Sequence, residues 1–421
     1  MYKVTLNNGL RLIYKNVPGN LTSFTIGFEA GANLEDESSY GLAHVVEHMV
    51  YKGTNNYTES DINNIIDNIF GFSNAMTNYP YVVYYGTCLS HDFQEGFKLH
   101  SDILQNPLFS QNGFKEELDV IYEELKEWSE DLYQHCEDLC FENAFSRRRI
   151  KELIIGNKDS LSNITLENIR EFHGEYYTAQ NCVISVVSSL EFSEVLRIVK
   201  ENFHSMKINS DIKNPYLLDD VENIYENNKS GTYESYENNN ADKIQIIFPI
   251  HDLNHDELTA LEVFNIIFGN GVSSLLYNEI RTKTGLAYEV SSQIKEDKGI
   301  KIFKIYLGTS KEKSTQAIKI IKELIYRIKD EAYTFTEDEV CRAIKILRLK
   351  KSIELEKSII ESVRLCTSEI MFGDKETLES FQKDYVSPMY RKINNLSNIN
   401  GEDIGRVVKK VFKNATIQIL H

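Results

Sequence analysis

The stretch Gly41-Leu42-Ala43-His44-Val45-Val46-Glu47-His48-Met49-Val50-Tyr51 restricts this chain more than any other. As a helix it puts His44, Glu47 and His48 on one face, because positions i, i+3 and i+4 are neighbours on a 3.6-residue turn. Leu42, Val45, Val46 and Met49 make the remainder apolar, so the helix belongs in a core. Histidine and glutamate side chains are costly there unless something pairs with them. Two imidazoles one turn apart can bind a single zinc ion. A carboxylate beside them can take a proton from water. The order of the three residues is the inverse of the H-E-x-x-H zinc-binding motif.

A chain of 421 residues exceeds one ordinary core, and two domains are expected. Its 42% hydrophobic and 26% charged residues are those of a globular protein in water. No apolar run reaches the roughly 18 residues of a membrane-spanning helix, so no membrane association is expected. The start, Met1-Tyr2-Lys3-Val4-Thr5-Leu6, reads at once as a strand, with no basic head and apolar core of a signal peptide. Six scattered cysteines fit reduced thiols in a cytoplasm better than a disulfide framework. The net charge of -17 argues against a nucleic-acid partner, because phosphate binding needs a basic surface.

Along the chain, Asn7-Asn8-Gly9 between alternating segments predicts a hairpin over residues 2–15. A third strand is expected at 23–28, a helix at 60–70, and strands at 72–76 and 81–87. Leu118, Ile121, Leu125 and Trp128 recur at helical spacing in one long helix from 114 to about 145. A helix capped by Thr165 leads to the strand 182–187. Residues 207–242, rich in Asn, Glu, Ser and Tyr, read as an exposed linker. A strand at 243–250 then opens a second half with helices at 256–268, 273–283, 311–330 and 337–371. The last of these is capped by the box from Thr336 to Glu339. A faint repeat relates the capped helix and strand around 164–186 to those around 399–419, so each half closes alike. The simplest architecture is two similar α/β halves, 1–206 and 243–421, joined by 207–242.

Two histidines leave a catalytic zinc site incomplete, because three protein ligands plus water are needed. The long helix offers Glu116, Glu117, Glu123, Glu124 and Glu127, of which Glu117 and Glu124 lie two turns apart on one face. Periodicity alone leaves the choice open.

The chain resembles the zinc-peptidase family that contains pitrilysin, insulysin and the mitochondrial processing peptidase. The resemblance rests on His44-x-x-Glu47-His48, on Glu124 standing 76 residues beyond His48, and on Glu117 seven residues before Glu124. It continues in Gly31-Ala32-Asn33-Leu34-Glu35, Gly41-Leu42-Ala43 and Lys52-Gly53-Thr54. Ser73-Asn74-Ala75-Met76-Thr77 is similar to the family's edge strand, where a substrate backbone docks. Gly269-Asn270-Gly271-Val272-Ser273-Ser274-Leu275-Leu276, leading to Arg281-Thr282-Lys283-Thr284-Gly285-Leu286-Ala287-Tyr288, is similar to the segment that supplies an arginine and a tyrosine to the active site. Pro80, just past the docking strand, departs from the pattern without touching the ligands.

The resemblance implies an α+β fold of two homologous halves, each a mostly antiparallel sheet packed with helices. It implies one Zn2+ per chain, held by His44, His48 and Glu124 in the first half. Glu47 would then be the general base, and Glu117 would orient a ligand histidine. Arg281 and Tyr288 would come from the second half, and Asn74 and Ala75 would take the substrate as an added strand. The expected activity is endopeptidase cleavage of short unstructured peptides in the cytoplasm. Short family members work as dimers, so a homodimer or a heterodimer with a paralogue is implied. Alternatives are a protease dedicated to maturing one bacteriocin-type precursor and a non-catalytic core subunit. His251 and His255 also stand four apart, but in a turn where Asn254 and Asp256 are capping candidates.

Overall fold

The structure, a computed structural model, describes residues 1–209, 225–237, 241–330, 333–373 and 379–421. The fold is α+β, with two sheets and many helices, and it divides into two compact units. The first comprises Met1–Leu125, Leu153–Asp219 and Ile353–Tyr390, and the second Lys126–Glu152, Asp220–Ser352 and Arg391–His421. These are not the contiguous halves expected from the sequence. Residues 126–152 belong with the second unit, and residues 353–390 with the first.

The first unit is built on a seven-stranded sheet. Its strands are β1 (Tyr2–Thr5), β2 (Arg11–Asn16), β3 (Leu21–Phe28), β4 (Phe70–Thr77), β5 (Val82–Leu89), β6 (Cys182–Ser188) and β11 (Ser380–Lys383). They lie in the order β11-β1-β2-β6-β3-β5-β4. Only β2 and β6 run parallel. The first hairpin forms as its Asn-Gly turn predicts, pairing Tyr2 with Tyr14 and Thr5 with Arg11. One sheet face carries the main core, in which Phe24, Ile26, Phe28, Val46, Met49, Phe97 and Ile184 are fully buried. The other face is covered by the helix Ser358–Phe372. Small hydroxyls lie along that contact: Ser185 Oγ donates to Ser362 O at 2.6 Å, and Thr25 and Ser362 share a bond at 2.9 Å.

The second unit holds a five-stranded sheet of β7 (Gly231–Ser235), β8 (Asp242–Pro249), β9 (Ala287–Asp297), β10 (Ile300–Thr309) and β12 (Thr416–Leu420). The order is β7-β12-β8-β10-β9, with only β7 and β12 parallel. Its core packs the helices His255–Phe268, Ser314–Lys329 and Gly401–Val411 on one face. Asn254 caps the first of these helices through a reciprocal box with Glu257.

Three expectations change. The long helix is two, Gln111–Glu130 and Leu132–Ala144, because Asp131 turns its carboxylate onto the N–H groups of Tyr133 and Gln134 and starts a new helix. The helix expected over 337–371 is likewise two, Glu337–Leu355 and Ser358–Phe372. The expected linker 207–242 contains strand β7, which is paired by β12, while its residues 210–224 and 238–240 lie outside the described residues. Among the described residues no helix is long and apolar enough to cross a membrane.

Candidate metal centre

The helix Leu42–Met49 begins at Gly41, whose φ of 99° lies in the left-handed region. A Cβ there would meet the carbonyl oxygen of Ile155 at 2.5 Å, so the position needs glycine on both counts. No Ser, Thr or Asp caps this helix. Glu35 does so from a distance: its carboxylate accepts from Gly41 N–H at 3.1 Å and Ala43 N–H at 2.7 Å. That satisfies two of the free donors of the first turn and places negative charge where the helix dipole favours it. Leu42, Ala43, Val45, Val46 and Met49 anchor the opposite face in the core.

On the half-buried face, the His44 and His48 rings stand edge to face at 4.6 Å. The helix Gln111–Glu130 brings its own acids to them, with Phe114 and Ile121 buried on the same side. Glu124 Oε2 lies 3.8 Å from His44 Nε2 and 3.7 Å from His48 Nε2. Glu117 Oε2 is 2.9 Å from His48 Nδ1, on the far side of that ring, and its other oxygen is 3.2 Å from Lys52 Nζ. Glu116, Glu123 and Glu127, equal candidates by periodicity, are exposed and lie outside the ligand group, Glu116 pairing with Lys52 Nζ at 3.2 Å. Glu47 is held by a hydrogen bond from Thr77 Oγ1 at the end of β4.

The donor set fits zinc. His44, His48 and Glu124 are the one group among the described residues that offers three ligand atoms, all within 4.8 Å of one another. Tetrahedral ligands about 2.1 Å from a shared ion stand roughly 3.4 Å apart, close to the spacing found. Two imidazoles with one carboxylate would match the ligand set of a catalytic rather than a structural zinc site.

The electrostatics of the two rings differ. Burial, with some help from the neighbouring His48, lowers the His44 pKa to about 3, so the ring is neutral at pH 7 and its lone pair is free. Burial also disfavours a charged His48, but Glu117, Glu124 and Glu47 outweigh it and raise its pKa. Glu47 is raised by burial, against the Thr77 bond. A raised carboxylate is a better proton acceptor than a free one at neutral pH.

Asn74 and Ala75 sit on β4, the edge strand of the seven-stranded sheet. Asn74 Oδ1 accepts from the Ala75 N–H at 2.9 Å. Arg281 and Tyr288 lie in the second unit. There Arg281 Nη1 donates to the Tyr288 carbonyl at 2.8 Å, and the guanidinium stacks over Tyr277 at 5.1 Å. Lys52, Thr77 and Glu35 were given no role from the sequence. Each lies in a segment that carries the resemblance, and Lys52, one turn beyond His48, is also placed near the motif by helical spacing.

Two family models match in sequence: residues 11–158 match Insulinase (Peptidase family M16), and residues 163–347 match Peptidase M16 inactive domain. The chain belongs to peptidase family M16. His44, Glu47, His48, Glu117 and Glu124 all fall in the first match, and Arg281 and Tyr288 in the second. An uncharacterized zinc protease of Rickettsia felis is 27% identical over 98% of this chain and 95% of its own length. Another from Bacillus subtilis is 24% identical over 97% and 94%. The mitochondrial-processing peptidase subunit beta of Dictyostelium discoideum is 31% identical, over 51% of this chain and 47% of its own. Among solved structures, a protease from Helicobacter pylori superposes with a TM-score of 0.87 at 20% identity, covering 100% of this chain and 99% of that one. A peptidase M16 inactive domain from Pseudomonas fluorescens gives 0.82 at 16%, covering 99% and 97%. Both share the M16 fold.

Proposed function

We propose that this M16 protein is a zinc-dependent endopeptidase acting on short unstructured peptides, with one zinc held by His44, His48 and Glu124. The observation that carries the reading is a single carboxylate oxygen, on Glu124, within 3.8 Å of both histidine Nε2 atoms, with Glu47 on the same helix face. Zinc, when bound, supplies a Lewis acid that polarises a carbonyl and lowers the pKa of water to about 7. Glu47, raised by burial and oriented by Thr77, takes the proton from the attacking water and returns it to the leaving amine. Glu117 accepts from His48 Nδ1–H, which leaves the Nε2 lone pair for the metal.

The substrate backbone pairs with the free edge of β4 near Asn74 and Ala75, which favours extended peptides over folded proteins. Tyr288 donates to the substrate where negative charge develops, and Arg281 fixes the tyrosine's backbone. The active form is a dimer with a second copy or with a paralogue. A paralogue partner is favoured by analogy with the Dictyostelium relative, which is named as a subunit.

The test is a mixture of unstructured peptides incubated with the zinc-loaded protein and with Glu47→Gln, the products being read by mass spectrometry. The expected result is cleavage by the wild type, none by the variant, and equal zinc content in both. Cleavage that survives in Glu47→Gln would remove the general-base role, and a zinc-loaded wild type that cuts nothing would remove the self-sufficient enzyme.

A further inference from the structure

Sheet register singles out Tyr288. Glu289 of β9 stands opposite Gly308 of β10, and Ala287 stands opposite Thr309. Tyr288 is therefore the extra residue of a β-bulge, a device that re-aims a side chain out of its regular alternation. Re-aimed, it crosses Gly308: a Cβ on that glycine would meet Tyr288 Cζ and Oη at 3.0 Å. On the next strand, Lys243 of β8 stands directly opposite Gly308. Its Nζ donates to Tyr288 Oη at 2.8 Å and to Tyr306 Oη at 3.0 Å. The ammonium also lies 5.3 Å from the Tyr288 ring centre and 5.8 Å from that of Tyr306.

Tyr306 anchors this arrangement. It is buried, packs edge-on against Tyr133 at 4.2 Å, and donates a hydrogen bond to Glu289 Oε2 at 3.2 Å. Lys243 is thus fixed in place by a group whose own proton is already engaged. An ammonium has three donors and no acceptor. Tyr288 Oη can only accept from it, so the phenolic proton must turn away from Lys243. Among the described residues no acceptor meets that proton, and Tyr288 is 53% exposed.

We infer that Lys243 is a positioning residue for Tyr288: it holds the phenol across Gly308 and leaves its proton aimed outward as a ready donor to substrate. The inference rests on the reading that Tyr288 donates to substrate in the cleavage reaction. Its chemistry is hydrogen bonding alone, with no change in the bonds made or broken during hydrolysis. It also accounts for a glycine at the bulge near the end of β10, where a side chain would meet the Tyr288 ring.

The test uses the full chain, loaded with zinc, and an internally quenched unstructured peptide. Four variants are compared with the wild type: Lys243→Met, Lys243→Arg, Tyr288→Phe and the double variant Lys243→Met/Tyr288→Phe. Loss of a preorganised donor predicts that Lys243→Met lowers kcat about tenfold or more, with KM within about twofold. Lys243→Arg recovers most of the loss. In the Tyr288→Phe background Lys243→Met costs less than about twofold, because a residue acting through another has no effect once that partner is gone. Gly308→Ala, which pushes on Tyr288 without touching the lysine, lowers kcat in the same way and stands in if Lys243→Met fails to fold. A Lys243→Met variant with wild-type kcat, or one whose loss is undiminished without the Tyr288 hydroxyl, overturns the inference while Tyr288→Phe remains impaired. A fully active Tyr288→Phe overturns the reading of Tyr288 itself, and the positioning role with it.

Discussion

Replacing Glu117 by Gln changes one atom and leaves the shape of the candidate metal centre intact. The carboxylate serves two donors at once, His48 Nδ1 through Oε2 at 2.9 Å and Lys52 Nζ through Oε1 at 3.2 Å. An amide has only one oxygen. If that oxygen faces His48, the amide N–H2 is set against the Lys52 ammonium, donor against donor. If it faces Lys52, the amide donates to His48 Nδ1, and the ring must carry its proton on Nε2, the atom directed at Glu124. Either arrangement weakens metal binding, the second by occupying the ligand lone pair. Loss of such an outer hydrogen bond typically lowers metal affinity about 10- to 100-fold, or about 1.4 to 2.8 kcal/mol. The assay is competition for zinc against a chromophoric chelator at pH 7.5, with Glu47→Gln as the control that keeps wild-type affinity. Thermal unfolding of the metal-free proteins checks that the fold is unchanged. An affinity for Glu117→Gln within twofold of wild type would refute the reasoning, because the His48 tautomer would then not depend on Glu117.

Two further outcomes follow from the same unit. Gly41→Ala forces a side chain into left-handed backbone and onto the Ile155 carbonyl at 2.5 Å, costing about 1–3 kcal/mol; calorimetry should record a fall of several degrees in the first unit's transition, and an unchanged transition would contradict it. His100 is fully buried against the edges of Phe24 and Phe70, and burial lowers its pKa to about 4. The unfolded chain therefore binds a proton below about pH 6.5 that the folded chain refuses, so stability is fully present above that pH and falls as pH drops toward 4. The loss is on the order of 3 kcal/mol at most, and the urea midpoint of metal-free His100→Gln should fall less steeply across that window than the wild type's.

What was legible in the sequence was local. The Asn-Gly hairpin, the Thr165 and Asn254 caps and the helix bearing His44, Glu47 and His48 each depend on residues within one turn of one another, and each forms where expected. The choice of Glu124 over Glu116, Glu123 or Glu127 was not legible from periodicity. All five acids lie on one amphipathic helix, and only its packing against Leu42–Met49 turns Glu117 and Glu124 inward. Thr77 and Glu35 were hidden for the same reason, since each meets the motif helix through a contact between elements apart in sequence.

The division of the chain shows where local signals stop deciding. Hydrophobic periodicity runs through Asp131 without interruption, yet a single side chain capping Tyr133 and Gln134 ends one helix and starts another. The boundary between the units falls nearby but not there, between Leu125 and Lys126 inside the first of these helices, because apolar stripes do not name the sheet they cover. The same holds for Ser358–Phe372, whose hydroxyls are matched by Thr25 and Ser185 on strands far earlier in the chain. Such matching is a property of two surfaces, and a sequence displays only one of them at a time. Residues 126–152, Asp131 among them, pack with the second unit. Mutations at Asp131 should therefore disturb the second unit more than the metal centre.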